Sequence, residues 1–537
     1  MSQNKSNRFM PLWLAISTVV GLLIGTFYGN QYAGNKLMNV IQAGSNKLSS
    51  LMYYLGDKYV DDVDMTDLVE KAIPNILAEL DPHSAYISAS DAETVDDDLH
   101  GSFSGVGIEF LIRNDTINVQ RVIPGGPAED AGLMAGDKIV TVDEKPFTGD
   151  SITNEMAMHS LKGPQGTEVK LGIMRYGDKT VREFVVTRDE IVTKSVTATY
   201  MLNDNTGYIK LRNFGENAYP EILVALARLS QNDFESLIID LRGNTGGYVE
   251  SAVQIANEFL AANKMIVYME GRKVKRDEKL SNGHGSYQHI PLVVLIDEGS
   301  ASASEILAGA IQDNDRGTII GRRSFGKGLV QEPVYFTDGS MMRLTIARYY
   351  TPSGRCIQKP YDDYEEDFLM RYERGEFFSS DSIRHTGPEY YTTNGRVVYG
   401  GGGITPDVFV GEDTLGMTSY FKEAVNSGLL LQYCFEYTDQ NRAKMSELSS
   451  EEELETYLKK QNMVERFVQY ADSHSLKRRN LMIQKSHALL ERSIIARIIY
   501  NLMDEESLLI YQNQSDPVVK EALRIFKAGE AFPEKVK

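Results

Sequence analysis

Three serines alternate at 300, 302 and 304 in the run PLVVLIDEGSASASEILAGAIQD (291–313), where an apolar strand gives way to small residues and then to a helix. A serine at such a turn can act as a nucleophile, because free N–H groups and the helix dipole there stabilise a developing oxyanion. Serines also cap helices at this position, and three in alternation make capping the role of at least one. The second candidate is Lys327, flanked by Gly326 and Gly328 in GRRSFGKGLVQEPVYF (321–336). A lysine serves as a base only when burial or positive neighbours pull its pKa down; otherwise this segment is a surface turn. GRRSFGKG nearly fits the phosphate-binding pattern GxxxxGK[ST], but Gly328 replaces the magnesium-binding hydroxyl and LVQEPVYF continues as a strand. The third piece is ESLIIDLRGNTGGYVESA (235–252), a strand, a glycine turn and a helix, in which Gly246 and Gly247 can present backbone N–H groups.

The elements that must position these residues follow from periodicity. Residues 191–410 alternate strands with helices, which predicts an α/β domain with crossover connections. Within it, YDDYEEDFLMRYERGEFF reads as a surface insertion. Residues 101–190 carry short strands (SGVGIEFLIR, INVQRVI, DKIVTVDEK, EVKLGIMR, VREFVVTR), glycine turns and one short helix at 151–161. Residues 36–98 predict a helical cap, with Pro74 interrupting its second helix and DPHSAYIS as a loop. Residues 411–537 are helical again, with SSEEE as a capped helix start.

Before the cap, residues 9–28 (FMPLWLAISTVVGLLIGTFY) are uncharged, mostly apolar and preceded by Lys5 and Arg8. At 1.5 Å per residue such a run spans roughly 30 Å, the thickness of a bilayer core. The positive flank predicts residues 1–8 in the cytoplasm and the rest of the chain outside it. Phe27 and Tyr28 spoil a cleavage site near Gly25 and Gly29, which favours an uncleaved anchor.

A net charge of -19 opposes nucleic-acid binding, which needs a basic face. Two cysteines, Cys356 and Cys434, exclude a disulfide framework and a cysteine-rich zinc site, and the eight histidines show no ligand spacing. No metal or other cofactor is expected.

DLRGNTGG, GSASASEI and SFGKGLVQ, in this order and spacing, resemble the C-terminal processing (tail-specific) serine peptidases. The likeness extends to LDPHSAYIS (80–88), SGVGIEF (104–110), PGGPAEDAGLMAGDKIV (124–140) and YTPSGRCIQ (350–358). It implies a multidomain protein: a crotonase-like α/β peptidase core at 191–410, an embedded mostly-β PDZ domain at 101–190, a helical cap, a C-terminal helical region and one N-terminal transmembrane helix. It implies Ser302 as nucleophile, Lys327 as general base and Gln331 as the residue that positions the lysine. The amides of Ala303 and Gly246 would form the oxyanion hole. Asp313 matches an acid found in some members, although a carboxylate beside Lys327 would oppose its role as base. Gly105, Val106, Gly107 and Ile108 would bind a substrate's terminal carboxylate, with the peptide added to the strand edge. The implied partners are proteins with apolar C-terminal tails, the membrane through the N-terminal helix, and a second copy or an adaptor through the C-terminal helices. The implied location is the cell envelope, with the catalytic part periplasmic where there is an outer membrane. The alternative is a PDZ scaffold, or a protease inert without an activator.

Overall fold

A computed structural model describes residues 35–535, apart from 90, 93–99, 114, 176, 363, 365 and 386 and the side chains of 35–46. The expected membrane segment, 9–28, lies outside the described residues. Among those described, no helix is long and apolar enough to cross a membrane. The chain divides into two units, one ending at Leu80 and one beginning at Asp81.

The first unit holds helices α1 (Asn35–Lys58) and α2 (Met65–Ala78). Asp64 caps α2 by accepting from the N–H groups of Thr66 (2.9 Å) and Asp67 (3.1 Å). Contrary to the sequence reading, α2 continues through Pro74, forgoing only the one backbone bond that proline cannot donate.

The second unit opens with strand β1 (Ala85–Ile87), where a loop was expected. Three residues are too few to show a period, and β1 exists because it pairs with a distant strand, at Met341–Arg343. Then follow β2 (Ser102–Gly105), β3 (Ile108–Arg113), β4 (Thr116–Val122), the one-turn helix α3 (Pro127–Asp130), β5 (Lys138–Val142), β6 (Lys145–Pro146), helix α4 (Asn154–Leu161), β7 (Glu168–Met174), β8 (Arg182–Thr187) and β9 (Asp189–Val192). The main sheet runs β3-β4-β5-β7-β8, which leaves one side of β3 open as an edge. Alternation turns Ile117, Val119, Ile139, Leu171 and Ile173 into a small core under α4.

The α/β part is β10 (Val196–Met201), β11 (Thr206–Leu211), α5 (Ala218–Ser230), β12 (Ser236–Asp240), α6 (Val249–Phe259), β13 (Met265–Glu270), β14 (Asp277–Leu280), β15 (Leu292–Ile296), α7 (Ala303–Asp313), β16 (Thr318–Gly321), β17 (Leu329–Tyr335) and β18 (Met341–Tyr350). It ends with α8 (Asp367–Glu373), β19 (Glu389–Tyr391), β20 (Val397–Tyr399) and β21 (Val408–Phe409). The central sheet has the order β10-β11-β12-β15-β16-β21, parallel from β11 onward. A second sheet joins β1, β18, β13 and β14, with β17 on the other part of β18.

The C-terminal helices are α9 (Ser419–Asn426), α10 (Leu429–Met445), α11 (Glu451–Lys459), α12 (Met463–Ser473), α13 (Asn480–Leu502), α14 (Glu505–Asn513) and α15 (Pro517–Ala528). Ser450 caps α11 through the Glu453 N–H, as the SSEEE run predicts. Most of these helices share a core of their own. The last does not: Val518, Val519, Ala522 and Ile525 of α15 pack on Ile238, Val293, Leu295 and Ile320 of the central sheet. The opposite face of that sheet is covered by α5, α6 and α7. Burial on both faces explains why β12 and β15 read as continuous apolar runs. Helix α15 is thus a layer of the α/β core. Replacing Ile525, 1% exposed, with alanine will destabilise the second unit by about 2–5 kcal/mol, measured by urea denaturation; an unchanged midpoint would show that the layer is dispensable.

Candidate functional site

Ser302 stands between β15 and α7 with φ 55° and ψ -113°, a strained conformation for a residue with a side chain. Two neighbours hold the turn. Ala301 N–H donates to the Asn244 carbonyl (2.9 Å), and Asp297 accepts from the Gly243 N–H (2.8 Å). Gly246, at φ 108°, packs against the turn so closely that a Cβ there would sit 2.8 Å from Ser302 Cβ. DLRGNTGG is therefore a platform under the nucleophile candidate. Its acidic end is structural: Asp240 accepts from Tyr208 (2.7 Å) and Arg242 (2.6 Å), and Arg242 reaches Asp516, the N-cap of α15 (2.7 Å).

The three serines separate cleanly. Ser300 donates to the Leu241 carbonyl and Ser304 to the Asn244 carbonyl, each at 2.8 Å, and both are fully buried. The Ser302 hydroxyl donates to no described residue, and Ser302 lines a cavity of about 1790 Å³ together with Lys327 and Gln331. The two flanking serines are thus the structural ones.

Lys327 Nζ donates to Gln331 Oε1 (3.0 Å), and Gln331 Nε2 donates to the His83 carbonyl (2.5 Å). The amide of Gln331 is oriented from both ends. Burial, then the positive charge of Arg343, pulls the Lys327 pKa below the ordinary lysine value, only partly opposed by Glu305 and Asp81. The loop 81–84 is itself fixed by Asp81, which accepts from the N–H groups of His83 and Ser84 (2.8 Å each) and from Thr345 (3.1 Å), the residue paired with Gln331 across β17 and β18. Burial, then the charge of Lys327, lowers the His83 pKa to about 4, and its Nε2 meets the Tyr364 hydroxyl at 2.5 Å. His83 is thus neutral near pH 7.

Two residues that the sequence reading missed bind the segments of Ser302 and Lys327 together. Glu305, fully buried, accepts from the N–H groups of Ser302 (2.9 Å), Lys327 (2.9 Å) and Gly326 (2.7 Å), and from the Ser324 hydroxyl (2.5 Å). Burial pushes its carboxyl up to about 7, while these donors favour the anion. Three of the four donors are main-chain N–H groups, which can only donate and so favour the carboxylate. On the opposite side the buried Tyr349 hydroxyl contacts the carbonyls of both Ser302 (3.0 Å) and Lys327. The available signal was Ser302-x-x-Glu305, a capping-box spacing.

Other expected residues fall differently. The Ala303 N–H, at the first position of α7, donates to no described residue. The Gly246 N–H does not match its expected role: it donates to Asn244 Oδ1 (2.9 Å), whereas the Gly247 N–H donates to no described residue. Asp313 is not beside Lys327. It closes the far end of α7, roughly 15 Å along the helix from Ser302, in a buried ion pair with Arg355 (2.7 Å), and accepts from Ser353 (2.7 Å). In the N-terminal part, the N–H groups of Val106 and Gly107 donate to no described residue, while their carbonyls accept from Ala128 (2.9 Å) and Ile123 (3.0 Å). Gly105 bridges to Lys162, just past α4, and Ile108 and Glu109 of β3 border the same cavity as Ser302. Among the described residues one trio could hold a metal, Asp91, Glu155 and His159, and it shares no residue with that cavity.

Residues 205–367 match peptidase family S41, residues 95–174 match the PDZ domain, and residues 420–504 match a family of unknown function (DUF8443). The chain is 38% identical over 309 residues to a carboxy-terminal-processing protease of Bartonella bacilliformis, covering 56% of this chain and 69% of that one. It is 36% identical over 296 residues to the carboxyl-terminal-processing protease of a Synechocystis species, covering 54% and 68%. Among solved structures, a photosystem II D1 C-terminal processing protease is similar at 29% identity and a TM-score of 0.38, covering 68% of this chain and 86% of that one. The chain belongs to the carboxy-terminal-processing serine proteases of peptidase family S41, with a PDZ domain.

Glu305→Gln puts an NH2 group among N–H donors and removes the charge they share. It will lower kcat/KM by roughly 10–100-fold, as expected for breaking a buried charged network. Tyr349→Phe, which removes a single hydroxyl, will be milder. Steady-state kinetics on the two variants checks the order; equal activity of Glu305→Gln and wild type would remove the bracing role.

Proposed function

We propose that the chain hydrolyses peptide bonds of proteins with Ser302 as nucleophile and Lys327 as general base. The reading rests on one observation above the rest: the one serine of three whose hydroxyl donates to no described residue shares a cavity with a buried lysine of lowered pKa. Neutral Lys327, oriented by Gln331, takes the Ser302 proton as the oxygen attacks the scissile carbonyl, and the protonated lysine then supplies a proton to the departing amine. The Ala303 N–H holds the oxyanion. A second amide comes from Gly247, or from Gly246 once it leaves Asn244. Water then hydrolyses the acyl-enzyme.

The PDZ domain captures the substrate's C-terminal tail. Unoccupied N–H groups at Val106 and Gly107 suit a carboxylate, and the open edge of β3 suits strand addition. The apolar run at 9–28 and its basic flank support an envelope location, with this machinery outside the cytoplasm.

A second reading, activation on binding, is favoured by a specific contact. Lys327 Nζ is turned to Gln331, with no hydrogen bond to Ser302 among the described residues. In that reading an occupied site or an activator turns the lysine.

With the full chain and an unfolded protein bearing an apolar C-terminus, Ser302→Ala and Lys327→Ala will abolish cleavage. Equal cleavage by wild type and both variants would overturn the assignment. For the wild type, kcat/KM will rise with pH as Lys327 deprotonates and level off above its pKa. A profile flat from acid to alkaline pH would exclude a lysine base.

A further inference from the structure

The helical segment 420–504 matches a family with no known function, yet its described residues hold the PDZ domain at three places. First, Arg113, at the end of β3, donates to the carbonyl of Gly428 (2.6 Å) and to that of Ser427. These carbonyls lie just past the C-terminus of α9, where the unpaired C=O groups and the helix dipole favour a cation. A Cβ at Gly428 would overlap the Arg113 guanidinium, so glycine admits this contact. Second, the Tyr500 hydroxyl of α13 donates to Glu109 of β3. Arg121 of β4 and Arg497 of α13 each stand 5.6 Å from the centre of the Tyr500 ring, within cation–π range. Third, the turn at Gly136 abuts Phe435 of α10, whose Cβ lies 3.3 Å from where a glycine Cβ would be.

Two of the three contacts fall on β3, the strand whose open edge suits the tail and whose first residues border the Ser302 cavity. The same chain then continues into α14, where Glu506 accepts from Arg228 (2.8 Å) and from the Thr199 N–H (2.8 Å) of the α/β part. Helices α9–α14 therefore grip the PDZ domain at one end and the peptidase core at the other.

We propose that the helical segment 420–504 is the seat of the PDZ domain, holding the β3–β4 pair so that a captured tail is delivered to the Ser302 cavity at a fixed spacing. This rests on residues 105–108 being the tail-binding loop. Seating converts attack on a captured substrate into an intramolecular event, so its loss lowers the effective concentration of substrate at Ser302 without altering capture itself.

The test compares wild type with Tyr500→Ala and, at an independent contact, Arg113→Ala, all in the full chain. Two substrates are used: an unfolded protein with an apolar C-terminal tail, and a short internal peptide without a free apolar C-terminus. A fluorescent tail peptide measures capture in the Ser302→Ala background. The expected result is a fall of about fivefold or more in kcat/KM for the tailed substrate, with unchanged cleavage of the short peptide and unchanged tail affinity. Unchanged cleavage of the tailed substrate by both variants would overturn the seating role. So would a matching loss of tail affinity, which would make these residues part of the groove. Failure of the wild type to bind the tail peptide would instead overturn the reading of residues 105–108.

Discussion

A single buried carboxylate fixes where the segments of Ser302 and Lys327, the proposed nucleophile and base, meet. Glu305 collects the main-chain N–H groups of Ser302, Gly326 and Lys327, which come from two segments brought together only by the fold. Tyr349 meets the carbonyls of Ser302 and Lys327 from the other side. These bonds all run through the main chain of Ser302 and Lys327, so neither side chain is spent on holding the two segments together. This matters energetically, because a serine held at positive φ and a lysine kept out of water are each unfavourable alone. The carboxylate is also a compromise. Its charge opposes the lowered pKa of Lys327, so burial and Arg343 must outweigh it.

The sequence carried the candidate residues better than the contacts that support them. Ser302, Lys327 and Gln331 stand in short runs whose glycines and small residues are themselves required by the geometry, as the approach of Gly246 to Ser302 illustrates. Glu305 was visible only as the fourth residue of a capping box, because its other donors lie in a loop that sequence spacing does not place beside it. Tyr349 reads as one more aromatic in a strand. Asp313 was misplaced for the converse reason: its partner Arg355 lies beyond three strands, β16 to β18, and the ion pair that they form holds Asp313 at the far end of α7. At Gly246 the local turn decided the matter, since Asn244 sits two residues earlier with its side chain in reach of that N–H.

The change of hydrophobic period marks the run of short strands β2 to β9 in the sequence, whereas distant segments that complete a layer leave no such mark. β1 and α15 are the examples. One is three residues paired to β18, and the other is an amphipathic helix whose apolar face meets the central sheet. Both ends of the second unit are thus tied to the α/β core, β1 close to the loop that orients Gln331 and α15 through Asp516 and Arg242 to the glycine platform. Support of the site is spread along the chain, while the chemistry is concentrated in a few residues.

The central claim is that this frame keeps Lys327 as a buried, readily deprotonated amine. It is tested most directly by titrating Lys327 itself through carbon-13 NMR of labelled lysines, in Ser302→Ala protein to prevent self-cleavage, with a Lys327→Ala spectrum assigning the signal. The account predicts a pKa displaced clearly below the ordinary lysine value of about 10.4. A Lys327 that titrates at or above that value would contradict it.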